Sequence, residues 1–147
     1  MIEIFSLTND QIDQVVNIEQ CDKLSNWDKK TFIIHTGKKY FNLCLSLNKT
    51  IVGFAITQVI IDEASLLKIS IHPIYQRRGY GSKLLEYLIK KLQQRNIFII
   101  WLEVRISNFP AIYFYEKLGF NCVHRRLNYY KTVNGYEDAM IMARSII

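Results

Sequence analysis

A strand, a helix and a second strand follow one another between residues 65 and 104, and this unit most limits the fold of the chain. Residues 65–72 have the alternation of a strand, and from Gly79 leucine and isoleucine recur at helical spacing. Residues 97–104 are a near-continuous apolar run, which predicts a central strand buried on both faces. Two strands joined through a helix in this way pair in parallel by a right-handed crossover.

The rest of the chain adds helices at its start and antiparallel strands around the crossover. Capping signals at Thr8 and Ser25 begin two helices, and Asn134-Gly135 marks a hairpin. The remaining predicted elements are at residues 8–20, 25–35, 40–47, 51–60, 109–118, 120–131 and 136–143. The predicted order is ααβββαβαββ, an α/β (α+β) fold with a central mixed, mostly antiparallel sheet flanked by helices.

The length and composition suit one globular domain, residues 1–147. Half of the residues are hydrophobic and 22% are charged, which supplies material for a single core. No stretch approaches the roughly 20 apolar residues that span a bilayer, and the N-terminus lacks the basic region of a signal peptide. The three cysteines are expected to be reduced thiols, buried or half-buried. We therefore expect a cytoplasmic protein without a membrane partner.

The net charge of +6 indicates an anionic partner, either a nucleic acid or a phosphate-bearing cofactor. The chain has neither zinc-finger spacing nor an aromatic RNA-binding motif, so no direct role with nucleic acid is expected. A non-catalytic basic module that binds nucleic acid stays as an alternative. The three histidines lack metal-ligand spacing, and no metal is expected.

Residues 76–82, Q-R-R-G-Y-G-S, lie where the predicted strand passes into the helix. Gly79 and Gly81 allow a ligand to approach the backbone closely, and the first N–H groups of a helix have no intrahelical partner. These groups and the helix dipole form a site for a pyrophosphate, to which Arg77 and Arg78 add positive charge. An ordinary strand-to-helix turn fits the same residues.

Two segments resemble the signature motifs of the GNAT family of N-acetyltransferases. Residues 76–81, Q-R-R-G-Y-G, resemble its pyrophosphate-binding motif, Q/R-x-x-G-x-G/A. Residues 108–120 are similar to its downstream motif, N-x-x-A-x-x-x-Y-x-x-x-G-F. The resemblance implies a GNAT fold, in which a pair of central strands is splayed, and acetyl-coenzyme A as the acetyl donor.

By this resemblance the splay lies between residues 65–72 and 97–104. The pantetheine arm of the donor would pair with the backbone of the first strand like an added strand. Asn108 would bind the same arm, although it also fits a helix N-cap. The residues predicted to bind acetyl-coenzyme A are Ile69, Ser70, Ile71, Arg77, Arg78, Gly79, Tyr80, Gly81, Ser82 and Asn108.

Glu103 is the one carboxylate in the apolar run of residues 97–104. A carboxylate buried in such a strand needs a partner or a raised pKa. It suits a general base that takes a proton from an ammonium through a water molecule. The alternative is a structural glutamate at a strand end, paired with Arg105 or Arg77.

The family motif selects Tyr115 as the catalytic acid. Tyr115 follows Ala111 by one helical turn, so the small alanine leaves room for the donor and the tyrosine hydroxyl can protonate the departing thiolate. Tyr113 and Phe114 are expected to be core residues. The implied reaction is direct transfer in a ternary complex, with backbone N–H groups near Ile71 polarising the thioester carbonyl.

Further segments resemble, within that family, the bacterial ribosomal-protein alanine acetyltransferases of the RimI type. These segments are residues 18–20, 27, 54–59, 62–64, 101–105, 128–130 and 137–139. The resemblance implies that the acceptor is the N-terminal alanine of a small-subunit ribosomal protein.

The acceptor groove is expected to be walled by Trp27, the 21–26 loop, Tyr129 and Tyr130. Asn26 and Lys131 replace prolines that are common in those enzymes, which bears on acceptor preference. Another amine, on a lysine side chain, a polyamine or a drug, is the alternative acceptor.

Overall fold

A computed structural model describes residues 1–147 as seven strands and four α-helices. The strands are β1 (Ile2–Ser6), β2 (Leu43–Leu47), β3 (Thr50–Ile60), β4 (Glu63–Ile71), β5 (Ile99–Arg105), β6 (Asn121–Thr132) and β7 (Gly135–Ser145). The helices are α1 (Ile12–Glu19), α2 (Lys29–Ile34), α3 (Tyr80–Gln94) and α4 (Phe109–Lys117). No helix is both long and apolar enough to cross a membrane.

The predicted fold class is confirmed, but the predicted order lacks the first strand. β1 has only five residues and forms the edge of the sheet by pairing antiparallel with β2, from Ile2↔Leu47 to Ser6↔Leu43. Its sequence, I-E-I-F-S, is too short to show the alternation of apolar and polar residues that predicts a strand. β1 is stabilised by pairing with a strand some 40 residues away, and a local sequence pattern does not indicate such a contact.

The first predicted helix start is confirmed, and the second is wrong by three residues. The Thr8 N–H donates to Gln11 Oε1 at 2.8 Å, and a 3-10 turn then leads into α1. α2 begins after Asp28, whose carboxylate accepts the Thr31 N–H at 3.0 Å. Ser25 is therefore not a helix cap, and its hydroxyl donates to Glu19 instead.

The seven strands form one sheet in the order β1-β2-β3-β4-β5-β7-β6. β4 and β5 are the predicted parallel pair, and every other neighbouring pair is antiparallel. The parallel register runs only from Glu63↔Ile99 to Leu66↔Leu102, four residue pairs. Beyond Leu66 the two strands diverge, so the splay is present.

Helices cover both faces of the sheet. Leu85, Leu88 and other residues of α3 pack on one face in a cluster that includes Ala55 of β3. Residues of α1 and α2 pack in a second cluster that includes Phe54. Phe54 and Ala55 are neighbours along β3, so the two clusters lie on opposite faces.

The expectation that β5 is buried on both faces is wrong. Ile100, Leu102 and Val104 are buried, whereas Trp101 is half-buried and Glu103 is exposed. The helix α1 packs mainly against β3 and β4, so the second face of β5 is less covered. The burial expected for Glu103 fails for the same reason.

The cysteines are all unpaired, but only Cys44 is buried. Burial raises the pKa of the Cys44 thiol to about 12. Cys21 and Cys122 are exposed, which corrects the expectation that all three are at least half-buried.

Candidate active site

A cleft of about 740 Å³ opens where β4 leaves β5. Its walls come from the end of β4, the segment before α3, the helix α4 and the end of α1. The predicted site residues that line it are Ile69, Ser70, Ile71, Arg77, Gly79, Tyr80, Gly81, Ser82, Asn108 and Tyr115. Arg78 and Glu103 are not among its lining residues.

The cleft-facing edge of β4 offers unpaired backbone groups. The His72 N–H donates to Val52 O of the neighbouring strand at 2.7 Å. Because alternate residues of an antiparallel strand bond to opposite neighbours, the backbone groups of Ile69 and Ile71 point away from β3. β5 no longer pairs at that level, although Ile71 O accepts a hydrogen bond from Gln76 Nε2 at 2.8 Å. This edge can bind a ligand with amide groups as a strand would.

The segment before α3 offers a row of free N–H donors. The backbone N–H groups of residues 77–82 find no acceptor within the protein, and the first helical hydrogen bond runs from Lys83 N to Gly79 O at 3.1 Å. Gly79 is the N-cap, with a φ of 84°. A Cβ placed there would meet no atom within 4 Å, so this face of the turn is open. Together with the helix dipole, these donors form a site for phosphate oxygens.

The two arginines of this segment differ in their positions. Arg77 lines the cleft and has a φ of 63°, a left-handed conformation that is uncommon for a residue with a side chain. The guanidinium of Arg78 lies 5.8 Å from the centre of the Tyr75 ring. Arg77 is therefore the arginine that supplies positive charge within the cleft.

The helix α4 brings Asn108 and Tyr115 to the opposite wall. Asn108 Oδ1 accepts the Ala111 N–H at 3.3 Å, so Asn108 caps α4 and its amide nitrogen stays available to a ligand. The ring of Tyr115 makes edge-to-face contacts with Phe114 and Phe120 at 5.3 and 5.8 Å. Burial raises the pKa of Tyr115, so its hydroxyl keeps its proton and can act as an acid.

The neighbouring aromatic residues of α4 are less buried than expected. Tyr113 is 63% exposed, and Phe114 is only partly buried. Tyr113 lines the cleft, and the Lys117 ammonium lies 5.2 Å from the centre of its ring. The core assignment of Tyr113 is therefore wrong.

Glu103 has a different partner from either of those predicted. Its Oε1 lies 3.2 Å from Arg126 Nη1, and the two side chains are 37% and 50% exposed. Arg105 pairs instead with Glu137 at 3.3 Å. Arg126 belongs to β6, which is separated from β5 by β7, so no spacing along the chain could have indicated this contact.

Two tyrosines of β6 lie close to Glu103. A hydrogen bond to Glu103, followed by burial, raises the pKa of Tyr129. Burial, followed by the charge of Glu103, raises the pKa of Tyr130 to about 12. The Arg126 and Arg105 guanidinium groups lie 4.3 and 4.4 Å from the ring centres of Tyr129 and Tyr130. Glu103 is thus paired with one cation, Arg126, and lies beside two tyrosines whose raised pKa keeps them neutral.

Of the proposed acceptor wall, the start of the 21–26 loop reaches the cleft. Cys21 and Asp22 line it, whereas Trp27 packs against Phe32 and stacks on His35 at 4.6 Å. The Asp22 carboxylate places negative charge in the cleft, in contrast to the positive segment of residues 77–82.

Comparison with known proteins gives one consistent result. The sequence model of the acetyltransferase (GNAT) family matches residues 9–120. The [ribosomal protein bS18]-alanine N-acetyltransferase of Escherichia coli is 47% identical over 99% of both chains. The enzyme of that name from Salmonella typhimurium is 50% identical over 88% of this chain and 87% of its own. The crystal structure of the Escherichia coli ribosomal-protein-S18-alanine N-acetyltransferase superposes with a TM-score of 0.95 at 46% identity, covering 99% of this chain and 94% of that one.

Proposed function

The chain belongs to the acetyltransferase (GNAT) family, and on that premise we propose that it acetylates the N-terminal alanine of ribosomal protein bS18. The acceptor is the one for which its full-length bacterial relatives are named. The observation that carries the proposal is the cleft at the splay, where the free N–H groups of residues 77–82 and the Tyr115 hydroxyl share one cavity. Ribosomal proteins are made in the cytoplasm, so we assign the reaction to that compartment.

The residues of the cleft fit acetyl-coenzyme A. The N–H groups of residues 77–82, with Arg77, would hold the pyrophosphate, and the space beside Gly79 leaves room for it. The unpaired edge at Ile69 and Ile71 would bind the amides of the pantetheine arm, with the Asn108 amide on the other side. When bound, the donor supplies an acetyl group that is activated as a thioester.

Tyr115 is the proposed acid. It lines the cleft on the opposite side from β4, and its raised pKa keeps the hydroxyl protonated where the acceptor amine is neutral. It would give its proton to the sulfur that leaves. The Ile71 N–H, on the unpaired edge, would stabilise negative charge on the carbonyl oxygen.

Glu103 is the proposed base, and it acts through water because its side chain lies outside the cleft lining. It would take a proton from the acceptor ammonium, and Arg126 Nη1 lies 3.2 Å from its Oε1. An α-ammonium has a pKa of about 7.7–8.0 and a lysine about 10.4, so a carboxylate deprotonates the α-amine far more easily. The chemistry of the site therefore favours a protein N-terminus over a lysine side chain.

Mass spectrometry with two matched peptides tests the acceptor. One peptide begins with a free alanine and carries an internal lysine, and the other is identical except for a blocked N-terminus. We expect acetylation of the first peptide at its α-amine and none of the second. Transfer to the lysine of both peptides, or to a polyamine added in competition, would contradict the proposed acceptor.

Gly79→Val is expected to weaken the binding of acetyl-coenzyme A. A β-branched side chain fills the open face of the turn and disfavours the left-handed φ, so the amides no longer reach the phosphates. The loss of one hydrogen bond to a charged group weakens binding roughly 10- to 100-fold. Titration calorimetry of the folded variant measures this change.

The matched control is Gly37→Val. Gly37 also has a positive φ, 112°, with no atom within 4 Å of an added Cβ, and it does not line the cleft. The Gly37→Val substitution introduces comparable backbone strain without changing the proposed phosphate site. Equal loss of affinity in both variants would mean that strain, rather than access to the amides of residues 77–82, causes the effect.

A further inference from the structure

An ion pair with a buried carboxylate and a partly exposed lysine lies between the end of α1 and the start of the splay. Glu19, the last residue of α1, is 2% exposed, and its Oε2 lies 2.6 Å from Lys68 Nζ. Removing the Glu19 carboxylate from water costs free energy, which an ion pair and further hydrogen bonds can offset. The proposed reaction uses neither residue, so the pair needs another explanation.

The position of Lys68 in β4 is unusual. Lys68 pairs with Ile56 of β3 and Leu66 pairs with Thr57, so Leu67 between them is a β-bulge. Pairing between β4 and β5 ends at Leu66. Lys68 is therefore the first paired residue beyond the bulge, on the part of β4 that forms the cleft.

The same carboxylate holds the segment between the two helices, which we call the 20–28 loop. The Ser25 hydroxyl donates to Glu19 Oε2 and accepts the Trp27 N–H at 3.1 Å. Lys68 Nζ lies 5.9 Å from the centre of the Trp27 ring, within reach of a cation–π contact. Glu19 and Lys68 thus fix two points of this loop relative to β4.

The charge of the loop indicates which substrate it faces. Asp22 lines the cleft, and a carboxylate there repels phosphates and attracts an ammonium. The free N–H groups and Arg77, which suit phosphates, belong to the segment before α3. The start of the 20–28 loop, at Cys21 and Asp22, therefore suits the acceptor rather than the donor.

We propose that the Glu19–Lys68 pair, together with Ser25, positions the 20–28 loop as the acceptor wall of the cleft. This inference rests on the proposed function, because it requires an acceptor amine. Glu19, Lys68 and Ser25 are positioning residues: they set the KM for the acceptor peptide and leave the binding of acetyl-coenzyme A unchanged.

Ser25→Ala tests the proposal with little risk to folding, since it removes one hydroxyl from a loop. We expect the KM for an alanine-terminated peptide to rise roughly tenfold, as for the loss of one hydrogen bond to a charged group. The kcat and the Kd of acetyl-coenzyme A should stay within about twofold. Ser25→Thr keeps the hydroxyl and should restore the wild-type KM. A Ser25→Ala enzyme with an unchanged KM, or with equal losses for both substrates, overturns the proposal.

The matched control is Asp13→Asn. Asp13 of α1 pairs with Lys29 of α2 at 2.9 Å, but the two side chains are 80% and 59% exposed. Exposed pairs of this kind contribute little, so neither KM should change. The double variant Glu19→Gln/Lys68→Met removes both charges of the pair at once and should fold, because the buried carboxylate is not left without its partner. It should raise the acceptor KM as Ser25→Ala does, and an unchanged KM would contradict the proposal.

Hydrogen exchange of the enzyme without any acceptor gives a readout that does not depend on activity. Ser25→Ala should speed exchange of the amides of residues 20–28 several-fold and leave those of α3 unchanged. Unchanged exchange in the loop overturns the positioning role, whatever the enzyme acetylates. If the wild type acetylates no α-amine, the proposed function fails instead, and faster exchange still supports the positioning of the loop.

Discussion

Glu103→Gln is expected to lower the rate of acetyl transfer to the acceptor peptide roughly 10²–10⁴-fold at neutral pH. Glutamine keeps the shape of the side chain and can still receive a hydrogen bond from Arg126, but it cannot accept a proton. The affinity for acetyl-coenzyme A should not change, because Glu103 is not among the residues that line the cleft. Steady-state kinetics with the donor saturating measures the effect.

The rates of the wild type and of Glu103→Gln should depend differently on pH. The wild-type rate should rise with pH as the acceptor amine loses its proton. The variant should recover part of its loss above the α-amine pKa of about 7.7–8.0, where the amine arrives already neutral. A variant that loses the same factor at every pH would contradict the role of Glu103 as the base.

Arg126→Gln is the control for a purely structural role of Glu103. It breaks the same ion pair but leaves the carboxylate in place. Both side chains are more than a third exposed, so the pair adds at most about 1 kcal/mol to the free energy of unfolding. We expect Arg126→Gln to stay within about tenfold of the wild-type rate. Equal rate losses in the two variants, with equal falls in melting temperature, would make the ion pair itself the cause.

Tyr115→Phe is expected to lower kcat roughly 10²–10⁴-fold, provided that protonation of the leaving sulfur limits the rate. The KM for acetyl-coenzyme A should stay nearly unchanged, because the ring keeps its contacts with Phe114 and Phe120. Burial raises the pKa of Tyr115, so the wild-type rate should show no alkaline decline from its ionisation where the acceptor amine deprotonates.

Tyr113→Phe is the matched control for the acid. Tyr113 lies on the same helix and also lines the cleft, but it is 63% exposed to solvent. Removing its hydroxyl should leave kcat within about threefold of wild type. If Tyr115→Phe retained wild-type turnover, the acid would be another group, such as water.

Most residues proposed to bind the donor line one cleft, and this grouping could be predicted because they lie in short continuous segments. The free N–H groups of residues 77–82 follow from the local sequence, because glycine conformation and the unpaired start of a helix do not depend on distant contacts. Asn108 and Tyr115 lie two turns apart on one short helix, and helical spacing relates them. The splay came from the family resemblance, and the four-residue register is consistent with it.

The remaining features depend on contacts between distant segments. Asn134-Gly135 predicts the β6–β7 hairpin, but the turn does not determine which of its strands lies beside β5. In the fold β7 takes that place and β6 becomes the edge, which brings Arg126 to Glu103. Ser25 has the residue type of a helix cap, and only the folded chain shows that it binds Glu19. An ion pair between strands that are distant in the sequence leaves no periodic pattern from which it could be predicted.

Because β4 and β5 pair over only four residues, a donor bound in the cleft between them is expected to stabilise the fold. Within the sheet, four residue pairs join strands β1 to β4 to strands β5 to β7, and the core under α3 contains residues of both parts. A donor that binds both walls of the cleft binds only the closed arrangement of these two parts. Such a ligand raises the free energy of unfolding by about 2.7 kcal/mol at one hundred times its Kd. A protease that attacks opened molecules would then clear the enzyme more slowly when acetyl-coenzyme A is abundant.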